Sequence, residues 1–270
     1  GATVTCTSVT CEQKKEQPPK LYDLTTLQRE ANRLLGYTAK QTLDYAQSLY
    51  EKKLLTYPRT DSRHLTSDMA ETASCVIHLA AKLPPFDKIS NFYPLVEAMV
   101  SDKAVSDHHA IIPTLEIEKA DITALPLGER ELLLLICCRL LCASASPYVY
   151  EAVTAAFDCG GHSFTAKGRR VLSEGWREID RIFRASLKEK PADGDGGTLP
   201  DFTEGQPFDG AEVSVTEHFT QPPKPYTEDT FLSAMENAGK DDIPDEAERK
   251  GLGTPATRAA IIEKLVAAGF

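Results

Sequence analysis

Leu54-Leu55-Thr56-Tyr57-Pro58-Arg59-Thr60-Asp61-Ser62-Arg63 places a phenol, two guanidiniums, a carboxylate and three further hydroxyls within ten residues. Tyr57 precedes a proline, which biases its backbone away from helix and toward extended geometry. Pro58 has no N–H to give a helix interior. Tyr57 and Arg59 are therefore expected in a constrained, non-helical turn. A phenol is a weak nucleophile at its ordinary pKa of about 10. A neighbouring cation favours the phenolate and also neutralises a phosphodiester under attack. Arginine suits that task because its planar fork bonds two phosphate oxygens at once. The chemistry this composition suits is transfer of a nucleic-acid phosphate onto Tyr57. Taken alone, Tyr-Pro-Arg reads more readily as a half-buried loop aromatic, with Arg59 and Asp61 a surface ion pair.

Two further stretches carry chemistry. Ser106-Asp107-His108-His109-Ala110-Ile111-Ile112-Pro113-Thr114 holds adjacent histidines with no Cys or carboxylate at zinc-ligand spacing. From composition they read as ordinary loop histidines. A histidine titrating near neutrality is also suited to orient a phosphate or relay a proton, with Asp107 or Asp61 to hold its other nitrogen. Gly251-Leu252-Gly253-Thr254-Pro255-Ala256-Thr257-Arg258 has a good N-cap in Thr254 and a good first helical residue in Pro255. The helix it opens would offer N–H groups, Thr257 and Arg258 to a phosphate, or would simply pack as part of a helix-turn-helix.

The Tyr57 string resembles the active-site segment of type IA DNA topoisomerases of the bacterial topoisomerase III kind. The His108 and Thr254–Arg258 motifs follow in that family's order, as does Gly175-Trp176. The resemblance implies an ATP-independent isomerase in which Tyr57 takes a 5′-phosphotyrosyl link to single-stranded DNA. Arg59 and His108 would assist, and Thr60, Asp61, Ser62, Arg63, Thr254, Thr257 and Arg258 would bind DNA. It also implies an α+β multidomain segment of a torus, with a β-rich arch at 1–20 and 147–220. A helical domain carrying the tyrosine, 21–146, would be inserted into that arch. Residues 221–270 would form part of a helical base domain with a helix-turn-helix-like element. The family's magnesium is held by a Toprim domain with a glutamate, a lysine and an Asp-x-Asp cluster, and nothing in these 270 residues matches it. We therefore expect a central piece of a longer protein, binding single-stranded DNA weakly and not relaxing supercoils alone, with no metal ligands of its own. The expected partners are single-stranded DNA, the Toprim domain and, undetermined by sequence, a helicase. The alternatives are a non-catalytic single-strand binding module in which Tyr57 stacks on a base, and a tyrosine recombinase. The latter is disfavoured because its tyrosine is helical.

Bulk properties permit this reading. Of 270 residues, 41% are hydrophobic and 26% charged, ordinary for a globular chain. A net charge of −10 is unusual for a nucleic-acid binder, but it is unevenly spread. Residues 1–64 carry 10 Lys/Arg against 7 Asp/Glu, whereas 189–248 carry 3 against 16. Binding needs a local basic groove, not a basic total. Seven cysteines without a CxxC pair suit a reducing compartment, without disulfides or zinc. The apolar run 132–143 is too short to span a bilayer and contains Arg139. With no signal peptide, a cytoplasmic, nucleoid-associated bacterial protein with no membrane partner is expected.

In chain order, 3–11 reads as an edge strand and 12–20 as a connector ending in Pro18-Pro19. Thr25 and Gln28 have capping-box spacing for a first helix with stripe Leu27, Ala31, Leu34 and Leu35, closed by Gly36. Thr38 and Gln41 open a second, with Leu43, Ala46, Leu49 and Tyr50 inward, which delivers the chain to Tyr57. A third starts at Ser67 and stops at Pro84-Pro85, and a short helical piece is expected near 92–99. Residues 128–144 read as a buried helix stopped by Pro147. Alternation over 149–157, a Gly160-Gly161 turn and a return over 162–171 predict a hairpin. Trp176 reads as a core aromatic. Asp193-Gly194-Asp195-Gly196-Gly197 lacks calcium-loop spacing and reads as a solvated loop. Residues 208–219 read as a strand and 228–238 as a helix. An acidic loop is expected over 241–248. A last helix carries Ile261, Ile262, Leu265 and Val266 and ends at Gly269.

Overall fold

The computed structural model describes residues 2–90, 92–187, 199–239 and 251–269. Among these residues it is an α+β structure with one antiparallel sheet of order β3-β2-β1-β4. The strands are β1 (Ala2–Glu16), β2 (Tyr148–Cys159), β3 (His162–Ser173) and β4 (Pro207–Ala211). The helices are α1 (Leu24–Leu35), α2 (Ala39–Glu51), α3 (Ala70–Ala80), α4 (Leu127–Ala143), α5 (Trp176–Ser186), α6 (Glu228–Asn237) and α7 (Pro255–Ala267). The loops expected over 193–197 and 241–248 lie outside the described residues.

β1 and β2 pair from Thr5↔Asp158 to Glu16↔Tyr148, although α1 to α4 separate them in sequence. β1 is longer than expected, because its polar end keeps the ladder to Glu16 where a connector was read. Nor is it an edge throughout, since β4 covers Ala2 to Thr5 on its other side. β4 is only five residues long, and beyond Ala211 no ladder continues, so the strand expected to 219 stops early. The hairpin of β2 and β3 turns at Gly160 and Gly161, both at positive φ.

The main core lies in the helices, not the sheet. α4 is buried on nearly every side, from Leu132 to Ala143, so it has no amphipathic stripe. It packs Leu132, Leu133, Ile136 and Leu140 against α1, α2, α3 and α5. Burying one such side chain contributes roughly 1.5–3 kcal/mol. α1 is capped by Asp23, whose Oδ1 accepts from the Thr26 N–H at 2.7 Å. The expected cap, Thr25, is buried instead, as is Gln28. α1 does end at Gly36, at φ 73°. α2 opens with the Thr38–Gln41 reciprocal cap.

α5 was not legible in the sequence. It buries Ile179 and Phe183, with the Phe183 ring stacked on Phe86 at 6.1 Å. Gly175 precedes it at φ 49°, and a Cβ there would lie 2.3 Å from the Pro147 carbonyl oxygen. Trp176 is half-buried at the core's rim, and its Nε1–H donates to the Glu16 carbonyl at 3.3 Å. Arg177 pairs with the Glu16 carboxylate at 2.8 Å. The end of β1 is thereby tied to the helices.

α6 and α7 form a separate small apolar cluster, Leu232, Met235, Ala259 and Ile262, closed by Ala39 of α2. The inward face of α7 is Arg258, Ala259 and Ile262, whereas the expected Ile261 and Val266 are exposed. Ile262 is buried and Leu265 half-buried as expected, and Arg258 takes an inward place that a hydrophobic pattern leaves unmarked. No helix of the described residues is long and apolar enough to cross a membrane.

Candidate active site around Tyr57

Tyr57 stands on an extended segment that the core holds from below. Leu54 and Leu55 are buried, and Leu55 bridges Pro113 antiparallel. The Thr56 N–H donates to the Ile112 carbonyl at 3.0 Å, and the Thr114 N–H to the Leu54 carbonyl at 3.0 Å. The Thr56 hydroxyl donates to the Ala110 carbonyl at 3.2 Å and accepts from the Ile112 N–H at 3.0 Å. Ala110, Ile111 and Ile112 are essentially inaccessible to solvent. The apolar half of the histidine motif is thus an anchor, and it sets His108 beside the tyrosine.

The Tyr57 ring lies 4.5 Å from the His108 ring, tilted by 45°. On its other side the Tyr50 ring meets it edge-on at 5.6 Å. Tyr50, expected on the inner face of α2, is instead 39% exposed and belongs to the site. Arg59 is exposed, and its Nη1–H donates to Gln47 Oε1 at 2.6 Å. His108 is exposed, and neither Asp107 nor Asp61 hydrogen-bonds its ring, contrary to expectation. His109 turns its Nδ1 to the Ala110 carbonyl at 2.8 Å.

Other candidates have different places. Thr60 and Ser62, expected at the DNA surface, are 3% and 4% exposed. The Thr60 hydroxyl donates to the His108 carbonyl at 2.9 Å and accepts from the Ser62 N–H at 3.0 Å. The Ser62 hydroxyl reaches the Ala104 carbonyl at 3.0 Å. These hydroxyls clamp the Tyr57 turn onto the His108 loop and are not free to meet a strand. Asp61 is exposed, and Arg63 is half-buried with Nε–H on the Leu21 carbonyl at 3.2 Å.

At α7, Thr254 and Thr257 are exposed, and the Thr254 N–H donates to the Thr257 hydroxyl at 2.9 Å. The backbone N–H groups of Thr257 and Arg258 go to the Thr254 carbonyl, so the amino end is less open than expected. Arg258 is corrected outright as a surface ligand: it is 3% exposed. Its guanidinium bonds the Leu252 carbonyl at 3.1 Å, the Gly253 carbonyl at 3.3 Å and Thr25 Oγ1 at 2.9 Å. Thr25 adjoins Leu24, whose N–H donates to the Thr60 carbonyl at 3.0 Å. Arg258 therefore links α7 to the Tyr57 turn through α1. Arg258→Ala should cost about 2–3 kcal/mol of stability, read by denaturant unfolding, because it removes a buried guanidinium's bonds to buried Thr25 and to the Leu252 and Gly253 carbonyls. The slope of log affinity for single-stranded DNA against log salt should not move. A slope lowered by about 0.7 would return Arg258 to the strand surface.

His64, next to Arg63, has a buried Nδ1 without a hydrogen-bond partner. Burial, then the Lys20 and Arg63 cations, push its pKa below the usual 6.5. The unfolded chain thus binds a proton that the fold refuses, in the window between the lowered value and 6.5. Stability should rise with pH through that window and level off above it. Melting temperatures from about pH 5 to about pH 7 check this. His64→Gln should flatten the rise; an unchanged slope would assign it elsewhere.

Among the described residues, no three His, Cys, Asp or Glu side chains converge to hold a metal ion.

Full-length topoisomerase I from Thermotoga maritima superposes on all of this chain with a TM-score of 0.74, over 41% of its own length, at 24% identity. That likeness is one of fold. The family model described as DNA topoisomerase matches residues 1–270, and the chain belongs to that family, in its type IA branch. DNA topoisomerase 3 of Bacillus licheniformis is 39% identical over 264 residues, which is 93% of this chain and 36% of the relative. DNA topoisomerase 3 of Bacillus subtilis gives the same values. That of Shouchella clausii is 39% identical over 272 residues, 96% of this chain and 36% of its own. The chain spans about a third of the length of these curated relatives.

Proposed function

We propose that this chain carries the tyrosine half of the strand-cleavage site of a type IA DNA topoisomerase. The Tyr57 oxygen attacks a phosphodiester of single-stranded DNA. The P–O3′ bond breaks, the 3′ oxygen takes up a proton and leaves, and the 5′ phosphate stays esterified to Tyr57. The phosphoester bond is exchanged and not hydrolysed, so attack by the 3′ hydroxyl reseals the strand without a nucleotide cofactor. Passing another strand through the break changes DNA topology. Arg59 bonds the phosphate oxygens as charge builds on them. His108 exchanges the phenol proton. Asp61, Arg63, Thr254 and Thr257 line the approach of the strand, while Thr60, Ser62 and Arg258 act as braces.

The observation that carries this reading is the convergence of the Tyr57 and His108 rings at 4.5 Å with Arg59 two residues along. Magnesium would be supplied by a Toprim domain on sequence outside these residues. The proposed division is a β-rich arch from 1–20 and 147–220, a helical domain over 21–146 inserted into it, and part of a base domain over 221–270, within a torus. The setting is bacterial DNA in the cytoplasm. A chimaera in which this chain replaces the matching segment of the Bacillus subtilis relative tests it. With magnesium and a single-stranded oligonucleotide it should form a denaturant-resistant adduct whose 5′ phosphate maps to Tyr57. An adduct mapping to another residue would overturn the reading.

A further inference from the structure

α2 does more than deliver the chain to Tyr57. Its reciprocal cap fixes where the helix starts, and Ala46 and Leu49 fix which side is buried. Gln47, Tyr50 and Glu51 then fall at i, i+3 and i+4, on one outward face of the last turn. That face meets the Tyr57 turn at two points: Tyr50 edge-on to the Tyr57 ring, and Gln47 at Arg59.

The amide of Gln47 is held at both ends. Its Oε1 accepts from Arg59 Nη1 at 2.6 Å, and its Nε2 donates to Glu51 Oε1 at 2.9 Å. Only one orientation of the amide satisfies both neighbours. The flipped form would set NH₂ against a guanidinium and a carbonyl oxygen against a carboxylate. Glu51 therefore aims the acceptor at Arg59. The bond engages Nη1 and leaves the Nε and Nη2 edge of the guanidinium, the edge that forks onto two oxygens. The rest of the Arg59 side chain is exposed and would otherwise wander among rotamers.

We infer that Gln47, aimed by Glu51, is a positioning residue that holds the Arg59 fork toward the phosphate joined to Tyr57. The inference rests on the cleavage reading above. Gln47 touches neither the phosphate nor the phenol and acts through Arg59 alone.

The test is a mutant cycle in the Bacillus subtilis chimaera, read as single-turnover adduct formation at saturating single-stranded oligonucleotide. Gln47→Met keeps side-chain length and loses the acceptor. It should slow adduct formation about tenfold, the value of one charge-assisted hydrogen bond. In an Arg59→Ala background the same change should have no further effect. Melting of this chain should be the same with Gln47 or Met, because the bond lies at the surface. Guanidinium ¹⁵N–¹H signals of Arg59 in this chain should collapse to those of a freely rotating group in Gln47→Met. A Tyr57-dependent adduct forming equally fast in Gln47→Met overturns the inference and leaves the cleavage reading standing. So does an equal slowing with and without Arg59. An adduct that persists in Tyr57→Phe brings both down.

Discussion

Tyr57→Phe is expected to abolish covalent capture of single-stranded DNA while leaving the fold and the strand affinity almost unchanged. The substitution removes one oxygen and keeps the ring. Both ring contacts, His108 at 4.5 Å and Tyr50 at 5.6 Å, survive it. Among the described residues no group hydrogen-bonds the Tyr57 hydroxyl, so no buried partner is stranded. The stability change should stay within about 0.5 kcal/mol, as for surface substitutions away from any network. The catalytic loss is of another order. Removing a nucleophile costs on the order of 10⁴ to 10⁶ in rate, since the remaining groups still bind but have nothing to bond with. In the chimaera, the denaturant-resistant adduct should disappear from gels while oligonucleotide anisotropy titrations overlay. If Tyr57 served only as a stacking platform, Phe would stack as well, and no adduct would form with either residue.

The second large effect is on stability, and it falls on Arg139. This guanidinium lies within an apolar helix and is 14% exposed in its side chain. It pairs with Glu30, donates to the Lys20 carbonyl at 3.2 Å and to the Tyr22 hydroxyl at 3.3 Å, and lies 4.3 Å from the Tyr22 ring centroid. The Tyr22 hydroxyl donates in turn to Glu30 at 2.8 Å. Removing one member of a buried pair costs about 3–5 kcal/mol, most of it the stranded charge left behind. Arg33 at 3.1 Å and Arg184 at 4.0 Å remain near Glu30 and lower that penalty. Arg139→Ala should therefore lose about 2–3 kcal/mol. At about 2–4 °C per kcal/mol for a chain of this size, melting should fall by roughly 5–10 °C. The double variant Arg139→Met with Glu30→Gln removes both charges and should recover most of the loss. A double variant as unstable as Arg139→Ala would show that packing, not the stranded charge, sets the cost. The Tyr22 carbonyl accepts from the Ile111 N–H at 2.8 Å, so this network also supports the strand that sets His108.

The site was legible in part because its signals are local. A proline after Tyr57, an arginine two positions on and an apolar run after His108 are read directly from neighbours in the chain. So are the Thr38–Gln41 cap, the Gly36 stop and the Gly160-Gly161 turn, each set by one or two residues' own φ, ψ and hydrogen-bonding preferences. The misreadings share one feature. Thr25 lost the cap to Asp23, because the α1 entry is set by a bond from Leu24 to Thr60 across the fold. Tyr50 was counted inward because it is aromatic. Thr60 and Ser62 were counted outward because the resemblance implies that the string after Tyr57 meets DNA. Arg258 was assigned to solvent because it is charged, yet three acceptors from two elements receive it inside.

By itself, then, the amino-acid order determined some of the element ends, the α2 start, the α1 stop and the β2–β3 turn among them. It did so because capping, turn formation and hydrophobic period act over a few residues. Tertiary structure alone decided which polar groups stay at the surface and which are spent as braces. A side chain's exposure depends on what distant segments bring to it, and Gln47 became visible only once α2 was laid beside the Tyr57 turn.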